Sequence, residues 1–561
     1  MRVAGIGALA VIAAAAAACS SSYVVVTVDA RQTVHAATTL QVTLGNSGST
    51  QTDTLTLGSH EFPVTFTVDA SGRTGDLSIG IAALDQNNLL VGQGSATSPL
   101  ASTSASVTLD GADFVVNTDF AGDQELSADF EANGLQLGAA DDGSWTVSFH
   151  ETCDQPCDML GRRFDSTGAA LESMVAASTN QFALSTTQAD AISTTALAGT
   201  GMFTMALWDF ESTDGTVNGV ACEHLDEMGN ELDAQQAIAT DSGTDVVSAT
   251  PMMNGQYAVT WDALLSSEVI RGVVVDNTCT PVVNSLVTIS TNGSDAFADR
   301  AHVASNGQSL LYAWIQGVND VHVRTASERN QLGSDVLLIP TGSQEGVQHV
   351  RVASMADGYA VVVRWESNTE TNPGRIELYK VGTDGKLQFG PVLISGKTGS
   401  DFDSVEAFGV ATRADGAILV VWHACADNGD GQGCGVFGRI VRPTGVPVGD
   451  QFVLATTLQG DQRAPSAVGI GSAFAVAWND ASEQTPDVSG LAVRARVIAP
   501  PYDDARGVLG AVCDGDSPCG DGLICDPGSD GAMRCYEDCD PTLPPPTCPE
   551  GGTCMMGGCV F

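Results

Sequence analysis

A short strand that ends in an aromatic residue recurs seven times along the chain: WTVSF (145–149), FTMALW (203–208), YAVTW (257–261), LLYAW (310–314), YAVVVRW (359–365), ILVVW (418–422) and FAVAW (474–478). The end positions are Phe149, Trp208, Trp261, Trp314, Trp365, Trp422 and Trp478, spaced 59, 53, 53, 51, 57 and 56 residues apart. Six of the seven tryptophans occupy this slot, which marks it as one structural position repeated. Periods of this order belong to propeller blades or solenoid turns, because one unit cannot bury its apolar face alone.

Each repeat reads as four strands. Strand A precedes the aromatic strand, as in PSAVGIG (465–471), and strand B ends at the aromatic slot. Strand C follows a variable loop, as in LGRRFD (160–165) and FGRIVR (437–442), and a turn leads to strand D, as in FVLAT (452–456). The C–D turns are alike: Ser166-Thr167-Gly168, Glu227-Met228-Gly229, Thr383-Asp384-Gly385 and Pro443-Thr444-Gly445. Four antiparallel strands per unit make a propeller blade. The seventh unit has an A, a B and a C (490–498), but Pro500-Pro501 follows and its strand D is missing. Far upstream, ADFVVNTDFAGDQ (112–124) echoes DQFVLATTLQGDQ (450–462), a strand D with its exit turn, yet has no A, B or C before it. The expectation is that residues 114–118 close the seventh blade beside 490–498 and bury an open sheet edge. An open array with two frayed ends is the alternative.

Three segments flank the array. Residues 1–18 hold one basic residue, Arg2, and then an apolar stretch too short to span a bilayer, so they read as a signal peptide. Ala16-Ala17-Ala18-Cys19 matches a lipobox apart from Ala at the position that prefers Leu, which makes Cys19 the expected lipidation site. Ordinary Ala-x-Ala cleavage is the competing reading. Residues 19–110 alternate apolar and polar side chains at Leu40/Val42/Leu44, Val64/Phe66/Val68 and Leu77/Ile79/Ile81. About seven strands in this length fit an immunoglobulin-like β-sandwich. Residues 505–561 carry Cys513, Cys519, Cys525, Cys535, Cys539, Cys548, Cys554 and Cys559, with too few large apolar residues for a core. A disulfide-rich module is expected there; zinc is the alternative, although no CxxC pair occurs. The expected fold is therefore all-β: a seven-bladed β-propeller over 112–500, preceded by the sandwich and followed by the small cysteine module.

With 23 basic and 67 acidic residues, the formal net charge is −44. Such a chain repels phosphate backbones, so no nucleic-acid partner is expected. Export and a lipid tether through Cys19 would place it in the cell envelope, at the outer membrane or cell surface, as a monomer. Setting Cys19 aside leaves 14 cysteines, an even number that suits an oxidising compartment. Cys153/Cys157 and Cys425/Cys434 sit in equivalent B–C loops, and a disulfide pinning each loop is the simple account. Cys222 and Cys279 fall in neighbouring blades and are read as a bridge between them.

In an A–B–C–D meander the B–C and D–A loops open on one face, and here the B–C loops vary most and carry much acid. The residues just past the aromatic slot are His150, Asp209, Asp262, Ile315, Glu366, His423 and Asn479. The six polar ones would ring that face. A ligand or cation site is one reading, with Ca²⁺ as the candidate ion and no other cofactor expected; strand ends meeting solvent are the other. His150 and His423 lie near paired cysteines, which also raises a metal. Signatures of serine hydrolases, zinc proteases, P-loop and dinucleotide enzymes are absent from the chain. The sequence thus favours a non-enzymatic protein that binds a protein or glycan partner through this face, over an extracellular polysaccharide hydrolase or lyase with its site in the propeller. An inhibitory or adhesive role in the cysteine module is a third reading.

The phrases Gly161-Arg162-Arg163-Phe164-Asp165, Ser166-Thr167-Gly168 and Phe114-Val115-Val116-Asn117-Thr118, the last followed by Gly122-Asp123-Gln124, resemble those of secreted bacterial propeller-repeat lipoproteins. The resemblance covers about 112–500. It implies the architecture and export, and it carries no catalytic residue.

Overall fold

The computed structural model describes residues 3–7, 23–58, 60–118, 124–125, 137–151, 159–171, 181–184, 195–200, 203–211, 218–226, 232, 235–241, 247–265, 267–290, 298–317, 320–340, 346–365, 374–395, 405–425, 429–430, 433–488, 490–498, 523–527, 533–537, 553–555 and 558–560. Every regular element among them is a strand. None is a helix long and apolar enough to cross a membrane.

The strands between Thr195 and Val453 form five consecutive four-stranded antiparallel sheets, each in the order A-B-C-D. These are blades 2 to 6 of a seven-bladed β-propeller. Blade 1 contains Leu137–Ala139, Trp145–Glu151, Met159–Phe164 and Gln181–Ala183, and its inner edge also includes Gln124–Glu125. Blade 7 joins Gln462–Ile470, Ala473–Asp480 and Ala492–Ile498 to Phe114–Val115 from the other end of the array. Val115 pairs with Arg494 and Phe114 with Ala495, as the echo of the strand-D phrase predicts. The pairing continues through Val116 N–H to Val493 O at 2.7 Å and Val493 N–H to Asn117 Oδ1 at 2.8 Å. The second half of the phrase opens a strand A: Gln124 lies opposite Glu151 in blade 1, as Gln462 lies opposite Asp480 in blade 7.

The repeated aromatic is the packing unit between blades. Trp208, Trp261, Trp314, Trp422 and Trp478 are at most 1 % exposed, and Phe149 is fully buried. Each indole buries roughly 150–250 Å² of mostly apolar surface, worth about 4–6 kcal/mol before entropy is counted. The inner strands converge, and at some positions a side chain no longer fits. A Cβ on Gly199 would lie 2.0 Å from Ala139 O, and one on Gly469 would lie 1.9 Å from Thr412 O. Only glycine lets neighbouring inner strands come this close.

Ahead of the ring, seven strands from Tyr23–Ala30 to Ser104–Gly111 build the sandwich. The expected alternation holds: Leu40, Val42, Leu44, Val64, Phe66, Val68, Leu77, Ile79 and Ile81 all lie in one core. Tyr23–Ala30 and Ser104–Gly111 run parallel. The two layers join where Gly92 and Gln93 pair with Gly111 and Asp110. Val3–Gly7, in the segment read as a signal peptide, pairs along the edge strand Val64–Asp69. Behind the ring, Leu523–Pro527 pairs with Met533–Glu537, and Thr553–Met555 with Gly558–Val560. The cysteine side chains of this segment, together with Cys19, Cys153 and Cys157, lie outside the described residues.

The sandwich sits against the A–B and C–D turns of the ring. His35 Nε2 is 2.9 Å from Thr167 O in the C–D turn of blade 1. Arg496 Nε donates to Gly111 O at 2.8 Å, where the sandwich chain enters blade 7. A cleft of about 500 Å³ lies between Arg31, Gln32 and Thr33 on one side and the turns at Asp141–Gly143, Ser166–Thr167 and Gly471–Ser472 on the other.

Candidate functional site

The central channel holds about 290 Å³ and is lined by the inner strands of all seven blades. Ala198, Ala249, Ala304, Ala353, Ala411 and Ala467 supply much of its wall, with Thr250, Ser354 and Thr412 adding hydroxyls and Asp141 a carboxylate. At its B–C/D–A end stands a group of side chains that the repeat pattern did not reveal.

Two of the polar positions past the aromatic slot reach the next blade. Strand A of blade 4 (Ala298–Ser305) has a bulge between Asp299 and His302, with Arg300 at φ 60°. Asp262 Oδ2 accepts Arg300 N–H at 2.8 Å, and its Oδ1 accepts Ala301 N–H at 3.4 Å. Strand A of blade 7 repeats the device: the bulge between Arg463 and Ser466 puts Ala464 at φ 50°, and Ala464 N–H donates to His423 Nδ1 at 3.3 Å. A bulge turns an amide away from its ladder, and a buried amide must find another acceptor. The acceptor comes from the preceding blade. Asp209 and Asp262 are 7 % exposed, Asn479 1 % and His423 fully buried. The side chain of His150 and the whole of Glu366 lie outside the described residues. Among the described residues no group of three or more His, Cys, Asp or Glu gathers as a metal site would require.

The bulge aims Arg300 at blade 5. Arg300 Nη1 donates to Gln348 O, and stands 3.3 Å from His349 Nε2. One level nearer the channel, a second line of contacts crosses four blades. Ser248 Oγ lies 3.3 Å from His302 Nδ1, His302 Nε2 meets Arg351 Nη1, and Arg351 Nε donates to Phe408 O at 3.4 Å. A guanidinium can only donate, so His302 accepts at Nε2 and donates from Nδ1 to Ser248 Oγ. Ser248 Oγ also accepts Val303 N–H at 3.3 Å. The Arg351 guanidinium lies 5.6 Å from the Phe408 ring centre. Arg364 stands opposite His349 in the ladder of blade 5.

In this rung His302 is 1 % exposed, His349 2 % and Arg351 7 %, while Arg300 and Arg364 are half-buried. Burial is the main force holding the His349 imidazole neutral, well below its usual range, and the Arg300, Arg351 and Arg364 guanidinium groups add to it. Burial, then Arg300, pushes the Arg351 guanidinium down to about 9. Three arginines and two of the chain's eight histidines meet here in a protein with only 23 Lys and Arg. Period two places His349 and Arg351 on one face of their strand, but the bulge at Arg300 breaks that period in blade 4, so the meeting of the two strands could not be read from spacing.

Two of the expected disulfides form. Cys222 bonds Cys279, linking blade 2 to blade 3 across 57 residues. Cys425 bonds Cys434 within the B–C loop of blade 6, with a separation of 9 residues.

No protein-family model matches the chain, and no curated protein matches it in sequence. Solved structures do. A protein of unknown function from Dyadobacter fermentans is 10 % identical, with 70 % of this chain and 98 % of that one covered and a TM-score of 0.37. An ulvan lyase, described as a new family of polysaccharide lyase, is 12 % identical over 69 % of this chain and 94 % of its own, with a TM-score of 0.40. An endo-arabinase from Bacteroides thetaiotaomicron is 13 % identical over 45 % and 91 %, with a TM-score of 0.28. Likenesses this distant carry no argument about activity.

Proposed function

We propose that the chain is an exported, lipid-tethered propeller that binds a glycan through its B–C/D–A face. The observation that carries this reading is the polarity of the assembly. The sandwich packs on the A–B/C–D turns of blades 1 and 7, through His35 and Arg496. The opposite face, from which the long variable B–C loops of the sequence leave the strands, is the one that meets a partner in this reading. Tyr23 starts the strand that runs toward the ring, so it lies about 25 Å from the ring at ~3.3 Å per residue. A lipid on Cys19, four positions earlier, would anchor the far end of the sandwich. The sandwich then acts as a spacer, and the Arg300–Arg351 rung faces away from the membrane.

Display of the full exported chain on an array of extracellular polysaccharides tests this. Retention of one glycan class, reduced by Arg300→Gln, is expected. Retention of none would overturn the reading.

A second reading, a polysaccharide hydrolase or lyase with its site at the same place, is favoured by one feature. His349 is an unprotonated imidazole beside guanidinium groups of the kind that stabilise an anionic transition state; the same charges weaken it as a base. New reducing ends or unsaturated sugar ends, released by the full chain and not by His349→Gln, would select it over simple binding.

A further inference from the structure

We propose that the outer face of the sandwich carries a trough that binds a neutral oligosaccharide, with its floor at Gly80 and Ala82. It is a separate site from the loop face of the ring and does not depend on it.

The register builds the trough. Strand Asp76–Leu84 lies between Thr39–Asn46 and Leu90–Pro99. Ala82 stands opposite Gln41 on one side and Gln93 on the other; Gly80 stands opposite Thr43 and Ser95. The alternate residues Leu40, Val42, Ile79 and Ile81 lie in the core, so these two rows face outward. In each row the central side chain is a methyl group or a hydrogen, and its neighbours are longer. Gln41, Thr43, Gln93 and Ser95 are exposed, while Gly80 and Ala82 are half-buried. Two strand spacings, about 10 Å, separate the strands that carry the glutamines, and the rows lie about 7 Å apart. The trough holds about 620 Å³, within the range of small-molecule sites. Asp110 and, from blade 7, Arg496 close its ring end.

Gly80 is the residue that points to a ligand. Glycine weakens a strand interior, and it is usually found there at positive φ, at a bulge or where something approaches closely. Gly80 is not at positive φ. The ladders on both sides of it run without a bulge at this position. A Cβ on it would meet nothing closer than 3.9 Å, so no other part of the fold needs the space. The approach that is left comes from outside the sheet.

The donor set names the class. Glutamine amides and Ser/Thr hydroxyls each both donate and accept, as sugar hydroxyls do. The two charged residues that line the trough are already answered by the protein. Asp110 lies 2.6 Å from Arg31 Nε, and Arg496 donates to Gly111 O and Leu454 O, both at 2.8 Å. A neutral ligand leaves this balance intact, whereas a polyanion would meet the repulsion of a chain with net charge −44. An extended peptide cannot add here as a strand, because Asp76–Leu84 is already paired along both edges.

The test titrates the full exported chain with oligosaccharides of glucose, of mannose and of galactose, and with an oligogalacturonate of equal length. Binding of one neutral probe is expected. Gln41→Ala and Gln93→Ala should each weaken it by about threefold to tenfold, the loss of one neutral hydrogen bond. Gly80→Thr raises the floor and suits a strand better, so it should abolish this binding without lowering the melting temperature. Neutral-probe binding that survives Gly80→Thr overturns the trough; if it falls instead with Arg300→Gln, the loop-face reading stands alone. A Gly80→Thr protein that melts lower overturns the assignment of Gly80 to a ligand, and unchanged binding by both glutamine variants then removes the site. Binding of no neutral probe overturns the trough, whatever the loop face retains on the array.

Discussion

His349 shows how a single residue can make the whole ring sensitive to acid. Its imidazole is buried beside Arg300, Arg351 and Arg364, and its folded pKa is well below the 6.5 of an unfolded chain. Between those two values the unfolded state binds more protons than the folded one, so stability rises with pH across that window and falls on acidification. Thermal melting followed from pH 7.5 down to pH 5 should show the wild type losing up to about 1.4 kcal/mol per pH unit below roughly 6.5 through this residue. His349→Gln should flatten that part of the slope; an unchanged slope would mean that the fold does not hold this histidine neutral. The residue scale was also the least legible in the sequence. Trp314 and its equivalents announce themselves as large aromatics at a regular period. Arg300 and His349 are 49 residues apart, as are His302 and Arg351, and each pair meets only after two blades pack. The bulge that turns Arg300 across the gap has no sequence mark beyond Asp262, which by itself reads equally well as a surface acid or a ligand.

At the scale of elements, the C–D turns of blades 1 and 3 use one device. Asp165 Oδ1 accepts Thr167 N–H at 2.8 Å, Thr167 Oγ1 at 2.6 Å and Ala169 N–H at 3.0 Å. Asp276 Oδ1 does the same with Thr278 N–H, Thr278 Oγ1 and Thr280 N–H, at 2.9, 2.8 and 3.0 Å. Partial burial raises each carboxyl, but these hydrogen bonds outweigh it and hold both below the usual range. The next turn position needs a left-handed backbone: Gly168 has φ 90° in blade 1, and Cys279 has φ 60° in blade 3. A cysteine in that conformation is strained, and its bond to Cys222 keeps it there. The double change Cys222→Ala with Cys279→Gly relieves the strain and removes the cross-link. It should still lower stability, by about 2–4 kcal/mol, because the link closes a loop of 57 residues. Chemical denaturation of both proteins, with the wild type oxidised, measures the difference. Equal stability would show that strain at Cys279 cancels the benefit of the bridge.

The ring as a whole depends on residues from both ends of the array. Arg494 lies between two buried carboxylates, with Nη1 3.1 Å from Asp113 Oδ1 and Nε 2.6 Å from Asp480 Oδ2. Asp113 also accepts Thr456 N–H and Thr457 N–H at 2.5 and 2.8 Å, which pins the entering chain to the loop before blade 7. Asn117 adds a bond to Asp487 at 2.8 Å. Burial pushes the Asp480 carboxyl up despite the pull of Arg494. Arg494→Ala would leave two buried carboxylates facing each other without their cation, at a cost of about 3–5 kcal/mol. The expected outcome is a large fall in melting temperature with loss of amide protection in blades 1 and 7 together. Unchanged protection in both blades would mean that this cation does not hold the two ends together.

The sequence by itself determined the blades, the sandwich and the closure. Each of these follows from a local pattern: a repeated aromatic strand, a period of two, or one phrase said twice. Local patterns survive in a linear chain because each marks a residue that must be buried wherever its element goes. What the tertiary structure alone decided is which side chains meet across blades. The sites past the aromatic slot were visible as polar, but Asp262 and His423 reach bulged amides of the next blade, and that could be read only once the blades were packed. The rung from Ser248 to Phe408 depends on the same packing, since four separate strands must lie side by side before their donors and acceptors are within reach.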